Sequence, residues 1–145
     1  MNLSSDLEAL AREAPDKTGL IFEDGTEVSF RQINTESKKI ANFLRSKGVG
    51  RGERIGVYMQ NSPVFVFTLF GIWKTGAVLV PVNIMYHAEE LVHAFSSTEV
   101  SKVITDSSGV ENILSIKENL ESIMVSGSRA SRTDEAILDF DSEIQ

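Results

Sequence analysis

The chain has 145 residues, a formal net charge of −7 and an apolar fraction of 41%. This length allows one domain with a real core, and the apolar fraction excludes a chain that is disordered throughout. The acidic excess argues against nucleic acid as a partner, because binding to phosphates requires clustered Lys and Arg.

The absence of cysteine excludes disulfides, thiolate metal sites and Cys nucleophiles. The residues that follow Met1 have neither the basic start nor the apolar core of a signal peptide. The longest apolar run, residues 64–73, has about half the length needed to cross a bilayer. We therefore expect a cytoplasmic protein that does not span a membrane.

The first third of the chain predicts a helix, a hairpin and a second helix. Leucines at helical spacing indicate a helix that ends before Pro15, and Asp24-Gly25 between two extended runs is typical of a β-hairpin. Ser29 and Gln32 form a capping-box pattern, and Gly48 is a helix stop. The basic residues of the second helix are predicted to face water: Lys38, Lys39, Arg45 and Lys47.

From residue 54 onward, apolar strands alternate with helices. We predict a buried strand over residues 54–59, a buried helix over 63–74 that Ser62 caps, and a second buried strand over 77–80. Helix, strand, helix and strand then follow over residues 88–125. This alternation predicts an α/β three-layer sandwich with a mostly parallel sheet, preceded by the short helix and hairpin.

The C-terminal residues read as a loop followed by an incomplete element. Residues 126–135 have the composition of a surface loop, and residues 136–144 carry apolar side chains over about two helical turns. No helix or strand stop precedes Gln145. We therefore expect residues 1–145 to be a single subdomain cut from a longer protein.

Two glycine-containing turns are candidate phosphate sites. Residues 48–52 follow a helix and precede a strand, the reverse of the order in a dinucleotide-binding loop, so we interpret them as a helix stop and turn. Residues 106–109 follow a strand and precede a helix, but Asp106 would repel phosphate, and an N-cap is the better interpretation. A receiver-type phosphorylation site at Asp106 is rejected because Gln60 and Asn61 stand where an acidic pair would be needed.

No other pattern predicts chemistry. The two histidines, His87 and His93, do not share a helix face, and a zinc site needs three or four converging ligands. No serine is placed with a base, and Trp73 lies at a helix-core position. The residues therefore predict no catalytic, cofactor-binding or metal-binding side chain in this chain.

In order along the chain, six segments resemble the N-terminal part of AMP-forming acyl-CoA synthetases, members of the acyl-adenylate-forming superfamily. The resemblance covers about residues 3–126, and its segments are 14–17 with 28–33, 40–44, 48–57, 61–63, 71–83 and 90–91 with 102–104. Phe30 stands where the family usually has Tyr, and Glu53 stands where it usually has Asp. Each segment is weak alone, but the order and gaps together are specific.

The resemblance implies a two-step reaction in an intact enzyme. A carboxylate attacks the α-phosphate of Mg²⁺-ATP and releases pyrophosphate, and the thiol of CoA then displaces AMP from the acyl-adenylate. The family's phosphate loop, its ribose-binding Asp and its mobile Lys all lie outside residues 1–145, so we expect this chain alone to be inactive. Residues 73–86 most resemble fatty-acyl-CoA ligases. Aryl-CoA ligases, amino-acid-activating domains and a freestanding non-catalytic interaction module remain alternatives.

Overall fold

The structure is a computed structural model that describes residues 2–127 and 137–139. The chain forms two compact units, Met1–Arg51 with Asn61–Ala77, and Gly52–Gln60 with Val78–Gln145. Most of the predicted loop at 126–135, and the end of the chain except for residues 137–139, lie outside the described residues.

The first unit opens with a helix and a hairpin, as predicted. Helix α1 spans Leu3–Glu13 with Asn2 as its N-cap. Strands β1 (Thr18–Ile21) and β2 (Glu27–Ser29) pair antiparallel. In the turn that joins them, the N–H of Gly25 donates to the carbonyl of Phe22, and the Asp24 carboxylate accepts from Thr26 N at 2.9 Å.

Helix α2 spans Phe30–Ser46 and follows the predicted pattern. The Ser29 hydroxyl oxygen accepts from Gln32 N at 3.1 Å, so Ser29 is the N-cap. The apolar stripe is buried, and Gly48 ends the helical segment at φ +81°, a backbone conformation that favours glycine. Lys38, Lys39 and Arg45 are exposed, as predicted, whereas Lys47 is half-buried and its ammonium lies 5.6 Å from the centre of the Phe43 ring.

Helix α3 spans Pro63–Thr75, and the Ser62 hydroxyl accepts from Phe65 N at 3.2 Å. The prediction that this helix is buried holds for one side only, which is formed by Phe67, Thr68, Gly71 and Ile72. The other apolar residues are half-buried, and two of them, Phe70 and Trp73, contact each other edge to face. Helices α1, α2 and α3 all contact one another within this unit.

The second unit contains a parallel sheet with the strand order β4-β3-β5-β6-β7. Its strands are β3 (Arg54–Tyr58), β4 (Val78–Pro81), β5 (Lys102–Asp106), β6 (Ser122–Ser126) and β7 (Ile137–Asp139). Every adjacent pair is parallel. The predicted parallel pairing is confirmed, whereas strand β7 falls in a stretch for which the sequence predicted no strand.

The prediction that the strand after α3 is buried is wrong. Strand β4 lies at an edge of the sheet, where Val78 is 44% exposed and the burial of the strand is incomplete. Its last residue, Pro81, has no N–H to donate, and an edge position is where a sheet tolerates proline. An apolar run therefore indicated a strand correctly but not its place in the sheet.

The core of the second unit lies between the sheet and helices α4 (Ala88–Ser97) and α5 (Val110–Leu114). A short 3₁₀ turn, Lys117–Asn119, precedes β6. Eight buried residues form one cluster: Tyr58, Leu91, Phe95, Val100, Val103, Ile113, Ile116 and Ile123. Tyr58, the last residue of β3, anchors this core at the carboxyl end of its strand.

Candidate functional site

In the second unit, a ligand site is expected at the carboxyl edge of the sheet. After β3 the chain continues into β4 on one side, whereas β5 joins β3 on the other side. In open α/β sheets, ligands bind outside the carboxyl ends of the strands at such a switch point. The segments that leave this edge begin at Met59 after β3, at Val82 after β4 and at Ser107 after β5.

The Asp106 carboxylate occupies the edge between β3 and β5. One of its oxygens accepts from Gln60 N at 3.1 Å, and the other accepts from Ser108 N at 3.0 Å and from Gly109 N at 3.1 Å. The N-cap residue of α5 is Gly109, which lies within the segment of residues 106–109 interpreted above as an N-cap. Asp106 closes the turn before the helix and ties it to the end of β3. Its oxygens accept from the backbone amides that an anion would need.

Tyr58 is a feature of this edge that the sequence did not reveal. Its side chain is fully buried, and its hydroxyl lies 2.9 Å from the Ile84 carbonyl oxygen and 2.8 Å from the Tyr86 carbonyl oxygen. The amide nitrogen of Asn112 donates to the same hydroxyl at 2.9 Å. The loop of residues 82–87 is thereby tied to β3 and α5. The sequence could not predict these contacts from a tyrosine within an apolar run, because all three partners of its hydroxyl are distant along the chain.

The two histidines do not form a metal site with other residues of the described chain. His87 is the N-cap residue of α4, and its backbone N–H donates to Glu90 Oε2 at 2.7 Å. His93 lies further along the helix and lines a shallow groove of about 560 Å³ with Glu89 and Val92. No group of three or more His, Asp or Glu side chains that could hold a metal ion occurs in the described ranges.

A polar cleft of about 300 Å³ is present in the first unit, lined by residues of all three helices. The Lys74 side chain is 5% exposed, and its ammonium lies 2.8 Å from Glu8 Oε1. The Arg45 guanidinium donates to the Lys74 carbonyl oxygen at the end of α3, at 2.6 Å. Lys38 also lines the cleft. The hydrogen bond from Lys74 lowers the pKa of the Glu8 carboxyl, and the positive charges of Lys74, Lys38 and Arg12 lower it further.

We expect Glu8→Gln to reduce the free energy of unfolding at pH 7 by about 0.5–1 kcal/mol, because Glu8 is part-exposed and water screens the pair. The pKa of Glu8 is lowered in the folded state, so its contribution is complete above the ordinary value of 4.5 and is lost as pH falls through the lowered pKa. Urea titrations at pH 7, 5 and 3 should therefore show the difference between parent and variant shrinking on acidification.

The matched control is Asp16→Asn, which removes an exposed ion pair with Arg31 in the same unit. This variant should change stability by no more than a few tenths of a kcal/mol. A Glu8→Gln effect that grew toward pH 3 would contradict the role assigned to the ion pair.

Comparison with known proteins places the chain in a family. A family profile described as AMP-binding enzyme matches residues 7–144. The chain belongs to the AMP-binding enzyme family. The membership expected from the six sequence segments is therefore confirmed, together with the α/β class and its parallel sheet.

Curated relatives of the chain include CoA ligases. The crotonobetaine/carnitine–CoA ligase of Salmonella paratyphi A is 34% identical over 108 residues, which are 72% of this chain and 21% of that protein. The same ligase from Salmonella typhimurium is equally similar. The chain therefore spans about a fifth of the length of the curated relatives that it matches.

Solved structures of CoA ligases have the same fold over nearly the whole chain. An anthranilate CoA ligase in complex with anthranoyl-AMP superposes with a TM-score of 0.84 at 28% identity, covering 99% of this chain and 27% of that one. A benzoate CoA ligase from Burkholderia xenovorans superposes with a TM-score of 0.83 at 23% identity, covering 99% of this chain and 28% of that one. At this lower identity the likeness concerns the fold alone.

Proposed function

We propose that this chain is the N-terminal part of an AMP-forming acyl-CoA synthetase that converts a carboxylate, ATP and CoA into acyl-CoA, AMP and pyrophosphate through an acyl-adenylate. The observation that carries the proposal is the family match over residues 7–144. The names of the relatives, which are CoA ligases, support the second half of the reaction. Residues 1–145 alone are proposed to be inactive and to form a single subdomain.

A fatty acid is the carboxylate that we propose, on the strength of the resemblance of residues 73–86 to fatty-acyl-CoA ligases. The similar proteins have diverse named substrates, including carnitine, anthranilate and benzoate, and a fatty acyl CoA synthetase from Mycobacterium tuberculosis is among them. Aryl-CoA ligase is the second candidate. The residues that choose the acid are proposed to lie in other parts of the intact enzyme.

Mg²⁺ is implied for the intact enzyme together with ATP. The described residues offer no group of three or more acidic or histidine side chains that would fit it. We propose that this chain contributes no metal ligand and no catalytic residue to the intact enzyme. Along the part of the chain that the structure describes, no helix is both long enough and apolar enough to cross a membrane. A cytoplasmic location remains a prediction.

Two measurements test the proposed function. The reading frame that contains residues 1–145 should continue into a Ser/Thr/Gly-rich segment that ends in Lys. The complete product should then exchange pyrophosphate with ATP when supplied with a panel of fatty, aryl and amino acids. Calorimetry on residues 1–145 alone should show no binding of ATP or CoA. Saturable ATP binding by the short chain, or a stop codon directly after Gln145, would favour a freestanding module instead.

Self-association of residues 1–145 is a separate proposal that rests on helix α3. Beyond its buried side, α3 carries half-buried apolar residues: Val64, Phe65, Val66, Leu69, Phe70 and Trp73. Apolar surface of this kind favours association when neighbouring copies meet. We expect a dimer or larger species in size exclusion with light scattering, and Phe70→Ser should shift it toward the monomer. A parent chain that is monomeric at high concentration would overturn the proposal.

A further inference from the structure

We propose that Tyr58 is a positioning residue of the ligase reaction, one that holds the loop of residues 82–87 in place at the carboxyl edge of the sheet to receive a substrate. This inference rests on the proposed function and adds to it a residue that neither the sequence motifs nor the family match singles out. It is carried by the hydrogen bonds of one buried hydroxyl.

The arrangement around the Tyr58 hydroxyl is directional. A phenol has one proton to donate and lone pairs with which to accept. The Asn112 amide donates to the oxygen at 2.9 Å, so the phenol proton is left for the loop carbonyls of Ile84 and Tyr86, at 2.9 and 2.8 Å. Asn112 on α5 therefore orients the hydroxyl, and the hydroxyl holds the loop.

Tyr58 itself is held rigidly by its neighbours. Its ring is fully buried in the core of the second unit, and its backbone carbonyl accepts from the Thr105 hydroxyl at 2.5 Å. A Cβ on Gly109 would lie 2.7 Å from Tyr58 Cδ1, so the glycine leaves the space that the ring fills. A support of this kind lets one hydrogen-bonded side chain fix the position of a loop.

The loop presents apolar side chains on a fixed backbone. Met85 N donates to Asn83 Oδ1 at 2.9 Å, and Tyr86 N donates to the Asn83 carbonyl at 3.0 Å. Met85 is 74% exposed and Tyr86 is 38% exposed. The loop leaves the edge strand β4, and its Ile84 and Tyr86 carbonyls reach the hydroxyl of Tyr58 at the carboxyl end of β3. Strand β3 is one of the two strands at the switch point, where open α/β sheets bind ligands. An exposed apolar surface that the fold holds in one position there is suited to contact a substrate.

Amide hydrogen exchange of residues 82–87 in the 145-residue chain tests the anchor. Tyr58→Phe keeps the ring but removes the hydroxyl, and loop exchange should accelerate about five- to tenfold, as expected for one lost hydrogen bond. Asn112→Asp should act similarly, because a carboxylate takes the phenol proton away from the loop. Asn112→Ala should have less effect, because Tyr58 then keeps its proton for the loop carbonyls.

This order of effects separates anchoring from simple packing. If Asn112 only filled space, Asn112→Ala would be at least as damaging as Asn112→Asp. That result, or an unchanged exchange rate in Tyr58→Phe, would overturn the anchor. The double variant Tyr58→Phe/Asn112→Asp should be no worse than Tyr58→Phe alone, because both changes break the same interaction.

Steady-state kinetics of the complete enzyme test the positioning role. Tyr58→Phe and Asn112→Asp should raise the KM of at least one of the three substrates about tenfold, with kcat within about twofold of the parent, because binding geometry is lost while the reacting groups remain. Faster exchange with unchanged KM values would overturn the role. A complete protein without ligase activity would overturn the proposed function and this role together, while the exchange result would still decide whether the anchor exists.

Discussion

Phe95→Ala is expected to lower the free energy of unfolding by about 3–5 kcal/mol, the range for deleting a buried aromatic ring. Phe95 is 2% exposed and belongs to the core cluster between the sheet and α4. A Cβ on Gly56 would come within 2.7 Å of its Cε1, so the ring lies directly on the backbone of β3. A loss of this size is a large part of a typical domain's stability of about 5–15 kcal/mol. Urea unfolding followed by circular dichroism measures it.

His93→Ala is the matched control, since His93 lies on the same helix but is exposed. It should change stability by less than about 0.5 kcal/mol. Gly56→Ala should destabilise the parent because the added methyl group meets Phe95. In the Phe95→Ala background the closest of the three contacts of this methyl group is gone, and Val100 Cγ1 at 3.0 Å and Val103 Cγ2 at 3.2 Å remain. The double variant should therefore lose less than the sum of the single variants by about 1 kcal/mol. Strict additivity would show that Phe95 does not lie on Gly56.

Gly71→Ala is expected to destabilise the first unit by about 1–3 kcal/mol, although alanine is normally the better helix residue by about 1 kcal/mol. An added Cβ would lie 2.4 Å from Ile40 Cγ2, 2.8 Å from Ile40 Cβ and 3.2 Å from the Ser37 carbonyl oxygen. A new rotamer could move Cγ2, but Ile40 Cβ and the Ser37 carbonyl move only with the α2 backbone. Gly71 is therefore a position where the backbone of α3 approaches α2 closely.

The control for this prediction is Gly50→Ala. No atom lies within 4 Å of a Cβ at Gly50, and its φ is outside the left-handed region. This variant should be neutral or stabilising by up to about 1 kcal/mol, because alanine restricts the unfolded chain. In thermal and urea unfolding, the midpoint should fall for Gly71→Ala and should stay unchanged or rise for Gly50→Ala. A Gly71→Ala variant as stable as the parent would contradict the close approach of the two helices.

Most local elements could be predicted from the sequence because their signals and their hydrogen bonds lie within a few residues. The Ser62 cap of α3, the Gly48 stop of α2 and the Asp24-Gly25 turn were all placed correctly. In each case the donor and acceptor groups concerned are close neighbours along the chain. Family membership was also accessible, because the order and spacing of short segments are properties of the sequence itself.

The order of the strands in the sheet could not be predicted from the sequence. Apolar residues in strands β3 and β4 looked alike, yet β3 is central and β4 is an edge strand with Val78 exposed. Which strand lies at the edge depends on pairings between segments that are far apart in sequence. The apolar composition of a segment predicts a strand, but it does not report how fully the strand is covered or whether it lies at an edge of the sheet.

The residues of the candidate site also differ in whether their contacts are local in sequence or distant. Asp106 belongs to a segment with the local pattern of an N-cap, but one of its partners, Gln60 N, lies 46 residues away, and no local pattern predicts that tie to the end of β3. Tyr58 carries no local pattern, and its partners lie between 26 and 54 residues away. By itself the sequence determined the family, the class of fold and the ends of most helices and strands. The tertiary structure alone decided the edge strand, the role of Asp106 and the anchor at Tyr58, because these depend on groups that only folding brings within hydrogen-bond distance.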